Sequence, residues 1–425
     1  MRRKKWLEFG KDVLIVLLAL TVVVLTILAL PAKTVTDTPW LAAIVRPFAS
    51  VMGLSQAELT YTPLADAGSV TGAAQPVCIC VRNPAGRTSF QADFDALDSA
   101  FEQFGAALGQ ALETAQEPQY ASAAALHAAL GKTSVAFCYP GELSPELVAS
   151  WLNVTTAVTE RAKWFVLSAE DAAVSLYLVA DKTYVCQTQL EAESLEQLLQ
   201  SCTPDGSFFA FEDTTGRYSG IAPMSLLPAQ TPQLLAAETA NPCDARFSDA
   251  LAAQLGFNPY GDARYADDAG NITYTETGYA LSVSAQGLLR LKSEAQVSRF
   301  QAASTQQADL VECARALLAS MASGALADAR LYLTDVRQDG TQTVCTFDYF
   351  LNALPVTLTD GHAAEVRFSG TSILQAQLKL KSYTLGTQTL AVLPAAQAAS
   401  IVQSGRELRL VYSDSSSGVT AGWQS

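Results

Sequence analysis

Hydrophobic positions follow three spacings along this chain. From Val13 to Leu30 they run unbroken, eighteen residues of Val, Leu, Ile and Ala with only Thr21 and Thr26 among them. As a helix that run is about 27 Å long, close to the roughly 30 Å hydrocarbon core of a bilayer. From Trp40 to Met52 the apolar residues recur three and four apart: Trp40, Leu41, Ile44, Val45, Phe48, Val51 and Met52. Thr38-Pro39 suits the cap and first position of such a helix, and Pro47 would kink it. Beyond Gln75, short strand-like runs alternate with helix-spaced ones, the text of folded α+β domains.

The first of these domains is expected over 75–231. Strands fit Pro76–Val81, Ser134–Phe137, Phe165–Leu167, Val174–Val179 and Thr183–Thr188, and helices fit Phe94–Ala115, Pro145–Leu152 and Ala192–Ser201. Ser144 caps the second of these helices, with Pro145 at its first position. A second region is expected over 241–425, divisible into about 241–295 and 296–425. It opens with a helix, Ala245–Leu255, stopped by Gly256. Strands follow at Asn271–Thr275, Tyr279–Ser284 and Leu288–Leu291, then a helix at Asp309–Ala322. Ala329–Gln338, Thr341–Leu351, Ala364–Phe368 and Leu374–Leu385 read as strands, before a helix at Ala395–Gln403 and a strand at Glu407–Tyr412. Helix followed by antiparallel strands thus occurs at least twice, which suggests a degenerate helix-plus-hairpin duplication without the fixed period of a solenoid. Residues 31–74 form a juxtamembrane segment and a linker, the latter marked by Pro63, Gly68 and Gly72.

Charge orients the Val13–Leu30 run. Arg2, Arg3, Lys4, Lys5 and Lys11 precede it, in a short basic segment over 1–12, and only Lys33 follows closely. The positive-inside bias places the N-terminus in the cytoplasm and the later domains outside a cell membrane crossed once. A cleaved signal peptide is the alternative; the length of the run and the absence of a small-x-small site at Leu30-Pro31 favour an uncleaved anchor. The stripe from Trp40 to Phe48 suits either the outer leaflet or a partner's helix, or equally a face of this protein's own fold. The chain carries −14 overall and +4 over residues 1–33, so residues 34–425 carry −18. Such acidity repels phosphate backbones, and nucleic acid is not an expected partner.

Candidate chemistry is sparse. Eight cysteines (78, 80, 138, 186, 202, 243, 313 and 345) lie mostly in apolar strand or helix text, as small core residues do. Cys78 and Cys80 point the same way from one strand, which favours neither a disulfide between them nor a zinc cage. Only His127 and His362 are present, and no nucleophile, phosphate or dinucleotide motif occurs. Asn258, Asp262, Asp267, Asp268 and Asn271 gather oxygen ligands, but turn formation accounts for them and the calcium-loop pattern is missing. No catalytic residue, metal or cofactor is expected, and the chain is read as non-enzymatic. Asn153-Val-Thr155 and Asn271-Ile-Thr273 match a glycosylation pattern, best explained by chance.

Several phrases resemble the YycH/YycI family of two-component-system regulators. They are Phe347-Asp-Tyr-Phe-Leu-Asn-Ala-Leu-Pro355-Val356 with Ala364-Glu-Val-Arg-Phe-Ser-Gly370, the stretch Tyr274–Leu289, and the ending from Leu393-Pro394 through Arg409-Leu-Val-Tyr412 to Ala421-Gly422-Trp423. The resemblance implies a membrane-anchored accessory protein of a Gram-positive sensor histidine kinase of the WalK type, acting beside a related accessory membrane protein. It implies no catalytic residues. The acidic, Ala-rich composition departs from the family pattern. The competing reading is an extracytoplasmic structural or assembly factor that binds wall components or other membrane proteins.

Overall fold

The computed structural model describes residues 75–260, 262–294, 299–322, 324–402 and 405–425. The expected anchor (Val13, Thr21, Thr26, Leu30), the basic residues Arg2, Arg3, Lys4, Lys5 and Lys11, and the stripe Trp40, Leu41, Ile44, Val45 and Phe48 lie outside the described residues. Among those described, no helix is long and apolar enough to cross a membrane.

The first sheet follows from the apolar runs after Gln75. The chain forms β1 (Cys78–Asn83), β2 (Gly86–Phe90), α1 (Phe94–Thr114), β3 (Gln119–Ala121), α2 (Ala123–Gly131) and β4 (Ser134–Leu143). It continues through α3 (Pro145–Trp151), β5 (Ala162–Glu170), β6 (Ala173–Val179), β7 (Thr183–Glu191) and α4 (Ala192–Leu199). The strands make a seven-stranded antiparallel sheet in the order β2-β1-β4-β5-β6-β7-β3. Helices cover both of its faces, which is why its central strands read as unbroken apolar runs. In β1, Ile79 and Val81 face α1, whose stripe Leu97, Phe101, Phe104, Leu108 and Leu112 recurs at helical spacing. Cys78 and Cys80 face the other way, with Trp164, Tyr177 and the buried residues Leu126 and Leu130 of α2. Asp93 starts α1 by accepting from the amides of Asp95 (2.9 Å) and Ala96 (3.2 Å).

A short pair, β8 (Phe208–Phe209) with β9 (Leu226–Leu227), leads to β10 (Leu234–Ala240), α5 (Ala245–Gln254), β11 (Arg264–Ala266), β12 (Ile272–Glu276), β13 (Tyr279–Val283) and β14 (Leu288–Ser293). Then come α6 (Gln307–Ala322), β15 (Ala329–Asp339), β16 (Gln342–Leu351), β17 (Leu354–Leu358), β18 (Ala364–Ser369), β19 (Ser372–Lys379), β20 (Ser382–Leu390), α7 (Ala395–Ile401), β21 (Arg409–Ser415) and β22 (Gly418–Gln424). Eleven of these strands form a second sheet, β11-β12-β13-β14-β19-β18-β16-β17-β21-β22 with β15 also on β16, and β10 pairs with β20. The described residues hold seven α-helices, so the architecture is α+β with mainly antiparallel sheets.

One pair departs from the expected antiparallel pattern. β17 and β21 are parallel, Val356 opposite Tyr412 and Leu358 opposite Asp414. A parallel pair needs a long crossover, and residues 359–408 supply it through β18–β20 and α7. The expected strand Leu374–Leu385 is two strands, because the chain leaves β14 and β18 at Leu380 and turns toward β10.

Polar ties fasten the sheets to each other. The hairpin turn between β16 and β17 holds Asn352 (φ 51°) and Ala353 (φ 63°), the left-handed pair that a two-residue turn demands. Asn352 donates from Nδ2 to the Ala92 carbonyl (2.7 Å) and accepts at Oδ1 from the Phe94 amide (3.2 Å), at the start of α1. Arg330 grips Asp98 of α1 with two nitrogens (3.0 and 2.8 Å) and lies 4.0 Å over the Phe94 ring. Trp151 donates its indole N–H to Glu312 of α6 (2.7 Å).

Candidate functional site

A cleft opens where the two sheets meet, and the bend in β4 makes it. β4 follows β5 as far as Cys138 and pairs with it again only at Leu143. Between them Tyr139-Pro140-Gly141 swings over to β15. Gly141 lies so close to β15 that a Cβ there would sit 1.8 Å from the Thr334 carbonyl oxygen. One wall of the cleft is Val77, Cys78, Gln91, Cys138, Tyr139, Pro140, Lys163 and Trp164 from the first sheet. The other is Leu226, Pro228, Glu407–Leu410 and Trp423, with Phe350 and Ala353–Pro355 from the β16–β17 hairpin.

Its surface is apolar apart from a few charges. Lys163 of β5 reaches across to an ion pair with Glu407, just before β21. Burial alone would lower the Lys163 pKa; Cys138 and Glu407 outweigh it and the net direction is up, so the ammonium stays charged. Burial pushes the Cys138 thiol up to about 12. Cys78 is raised too, by burial and then by Cys138 and Cys80. At neutral pH the thiols rest protonated beside the cationic lysine, and only their small ionised fraction is nucleophilic. Arg409 adds an exposed cation. Trp423 donates its indole N–H to the Leu393 carbonyl (2.7 Å) and separates the cleft from a neighbouring apolar groove. That groove carries Leu393, 51% exposed, and Ile401, 76% exposed.

The other sequence candidates fall elsewhere. Six cysteines are buried, Cys202 and Cys243 are half-buried, and all eight are free thiols. His127 stacks on Phe211, centroids 3.8 Å apart, and burial lowers its pKa. His362 faces Asp348 through Nδ1 (2.9 Å). The Asp267 carboxylate accepts from the Ala269 and Asn271 amides and from Asn271 Nδ2 (3.0, 2.8 and 2.8 Å), so its own turn occupies it. Asn258 likewise accepts from the Tyr260 amide. Among the described residues no group of His, Cys, Asp and Glu could hold a metal ion. The sequence reading missed Lys163, Glu407 and Trp164 as cleft residues, because they meet only through pairings distant along the chain. The neighbouring thiols were visible as Cys78 and Cys138 in or beside two expected strands, but not their register.

No family model, curated protein or solved structure matches this chain.

Proposed function

We propose that this chain is a non-enzymatic, membrane-anchored regulator that binds a cell-envelope sensor histidine kinase and tunes its activity. The Val13–Leu30 run with five basic residues before it carries the reading: it supplies one span, a cytoplasmic N-terminus and an external body. The cleft and its adjoining groove support a contact role, since Trp and Arg beside apolar surface are the residue types that dominate protein interfaces. The resemblance to the YycH/YycI regulators agrees. So does the repetition of helix and antiparallel strands in α5 to β14 and α6 to β19, read as degenerate duplication.

Regulation then passes partly through the bilayer, where helices associate by close packing and occasional hydroxyl bonds. Thr21 and Thr26 are the polar positions available for this. Exchanging residues 13–30 for an unrelated Leu-rich helix keeps the protein in the membrane but changes the output of a kinase-dependent reporter. The tagged full-length chain copurifies with the kinase. Failure to copurify, together with a reporter indifferent to deletion of the whole chain, refutes the regulatory reading. A reporter unchanged by the helix exchange but abolished by removing residues 75–425 places all regulation in the external body.

A further inference from the structure

Cys78 and Cys138 are register partners on adjacent antiparallel strands, β1 and β4. Directly opposed residues in such a pair have Cα atoms roughly 4.5–5.5 Å apart, inside the roughly 4.4–6.8 Å window of a disulfide. Both side chains lie on one face of the sheet and both line the cleft, at 9% and 6% exposure. Cys80 has no such partner: Ala136 and Ser89 stand opposite it. Two residues along one strand are about 6.7 Å apart with parallel side chains, so Cys80 does not compete for Cys78. Cys186 faces Leu176, and Cys345 faces Val336 and Val366.

We propose that Cys78 and Cys138 form a reversible cross-strand disulfide, a covalent clasp in the cleft wall made by exchange with a small disulfide oxidant. The first thiol, as its thiolate, attacks the oxidant's disulfide and forms a mixed disulfide, releasing one thiolate. The second attacks the protein-bound sulfur of that mixed disulfide, closes the Cys78–Cys138 bond and releases the other thiolate. The two protons lost by the protein pass to the two departing thiolates, and the oxidant takes the two electrons as its sulfur–sulfur bond breaks. The clasp closes the 59 residues between the positions into a loop. It fixes β1 against β4 where β4 begins its bend.

The test incubates the full-length protein in its native membrane or detergent with cystamine, quenches, unfolds and alkylates. Before alkylation the new bond lowers the intact mass by about 2 Da, two thiols beyond any that carry cysteamine become unreactive, and dithiothreitol restores both. Fragmentation of the joined peptides assigns the bond to Cys78 and Cys138 in the unmutated protein, so the result does not hinge on any variant folding. Cys80→Ser keeps the bond and Cys138→Ser abolishes it. Eight reactive thiols after incubation, or a bond to Cys80, between Cys313 and Cys345, or between two chains, overturns the proposal.

Discussion

At the scale of single residues, close approach and buried charge set the constraints. Gly141 has no room for a side chain, since its Cβ would lie 1.8 Å from the Thr334 oxygen and 2.8 Å from that carbonyl carbon. Gly141→Ala must therefore push β4 off β15, and forced overpacking costs about 1–3 kcal/mol. The urea midpoint falls accordingly, with the slope unchanged; an unaltered midpoint would mean that the two strands do not touch in solution. Arg87, 2% exposed, works the other way, as a charge satisfied from several sides. It donates to Glu212 (2.7 Å), the Leu130 carbonyl (2.8 Å) and Cys80 Sγ (3.5 Å), and it lies 4.7 Å over Phe209. Neither role was legible in the sequence. Tyr139-Pro140-Gly141 looks locally like the turn ending a strand, and Arg87 like one of many surface cations.

At the scale of elements, much of the fold was legible, because element type is local and depends on spacing and caps. The expected helix Phe94–Ala115 is α1, and Ser144 caps α3 by accepting from the Leu147 amide (3.3 Å). β10 was missed. LLAAETA has no clear two-residue period, and its partner β20 lies about 150 residues further along the chain. The β16–β17 turn is an element whose sequence carries a mechanism. Asn352 and Ala353 both take positive φ, and Asn352 also bridges to Ala92 and Phe94. Asn352→Ala loses both hydrogen bonds and keeps a strained backbone, a cost of about 2–3 kcal/mol together. Asn352→Gly relieves the strain and loses only the bonds, so it recovers about half of that. Equal midpoints for the two variants in urea would show that backbone conformation contributes nothing at this turn.

At the scale of the whole molecule, two sheets share one continuous apolar core. Phe137 and Phe165 of the first, with Phe101 of α1, belong to the same buried cluster as Phe347 and Phe350 of the second, with Leu317 of α6. Composition and periodicity read two bodies because each stretch builds its own sheet; the shared core depends on which faces meet, which no local pattern carries. Cooperativity follows from that core, so residues 75–425 unfold in one transition. Trp fluorescence and far-ultraviolet circular dichroism give coincident curves. The pH dependence of that transition follows from its buried thiols and phenols. Burial raises Cys138, Cys186 and Cys345 to about 12 from near 9, and Tyr332 to about 12 from near 10. Above about pH 9 the unfolded chain releases protons that the folded chain still holds, so stability falls with rising pH and continues to fall toward about pH 12. On the acid side, Asp249, bonded to Tyr274 and Arg264, and Asp267, bonded to Asn271, are held below the usual carboxylate value. Their contribution is present above that value and is lost as pH falls through the depressed one. The urea midpoint should therefore be level through neutral pH and drop at both ends, most steeply in alkali. A midpoint constant from pH 8 to pH 11 would show that these thiols and phenols meet water in the folded protein.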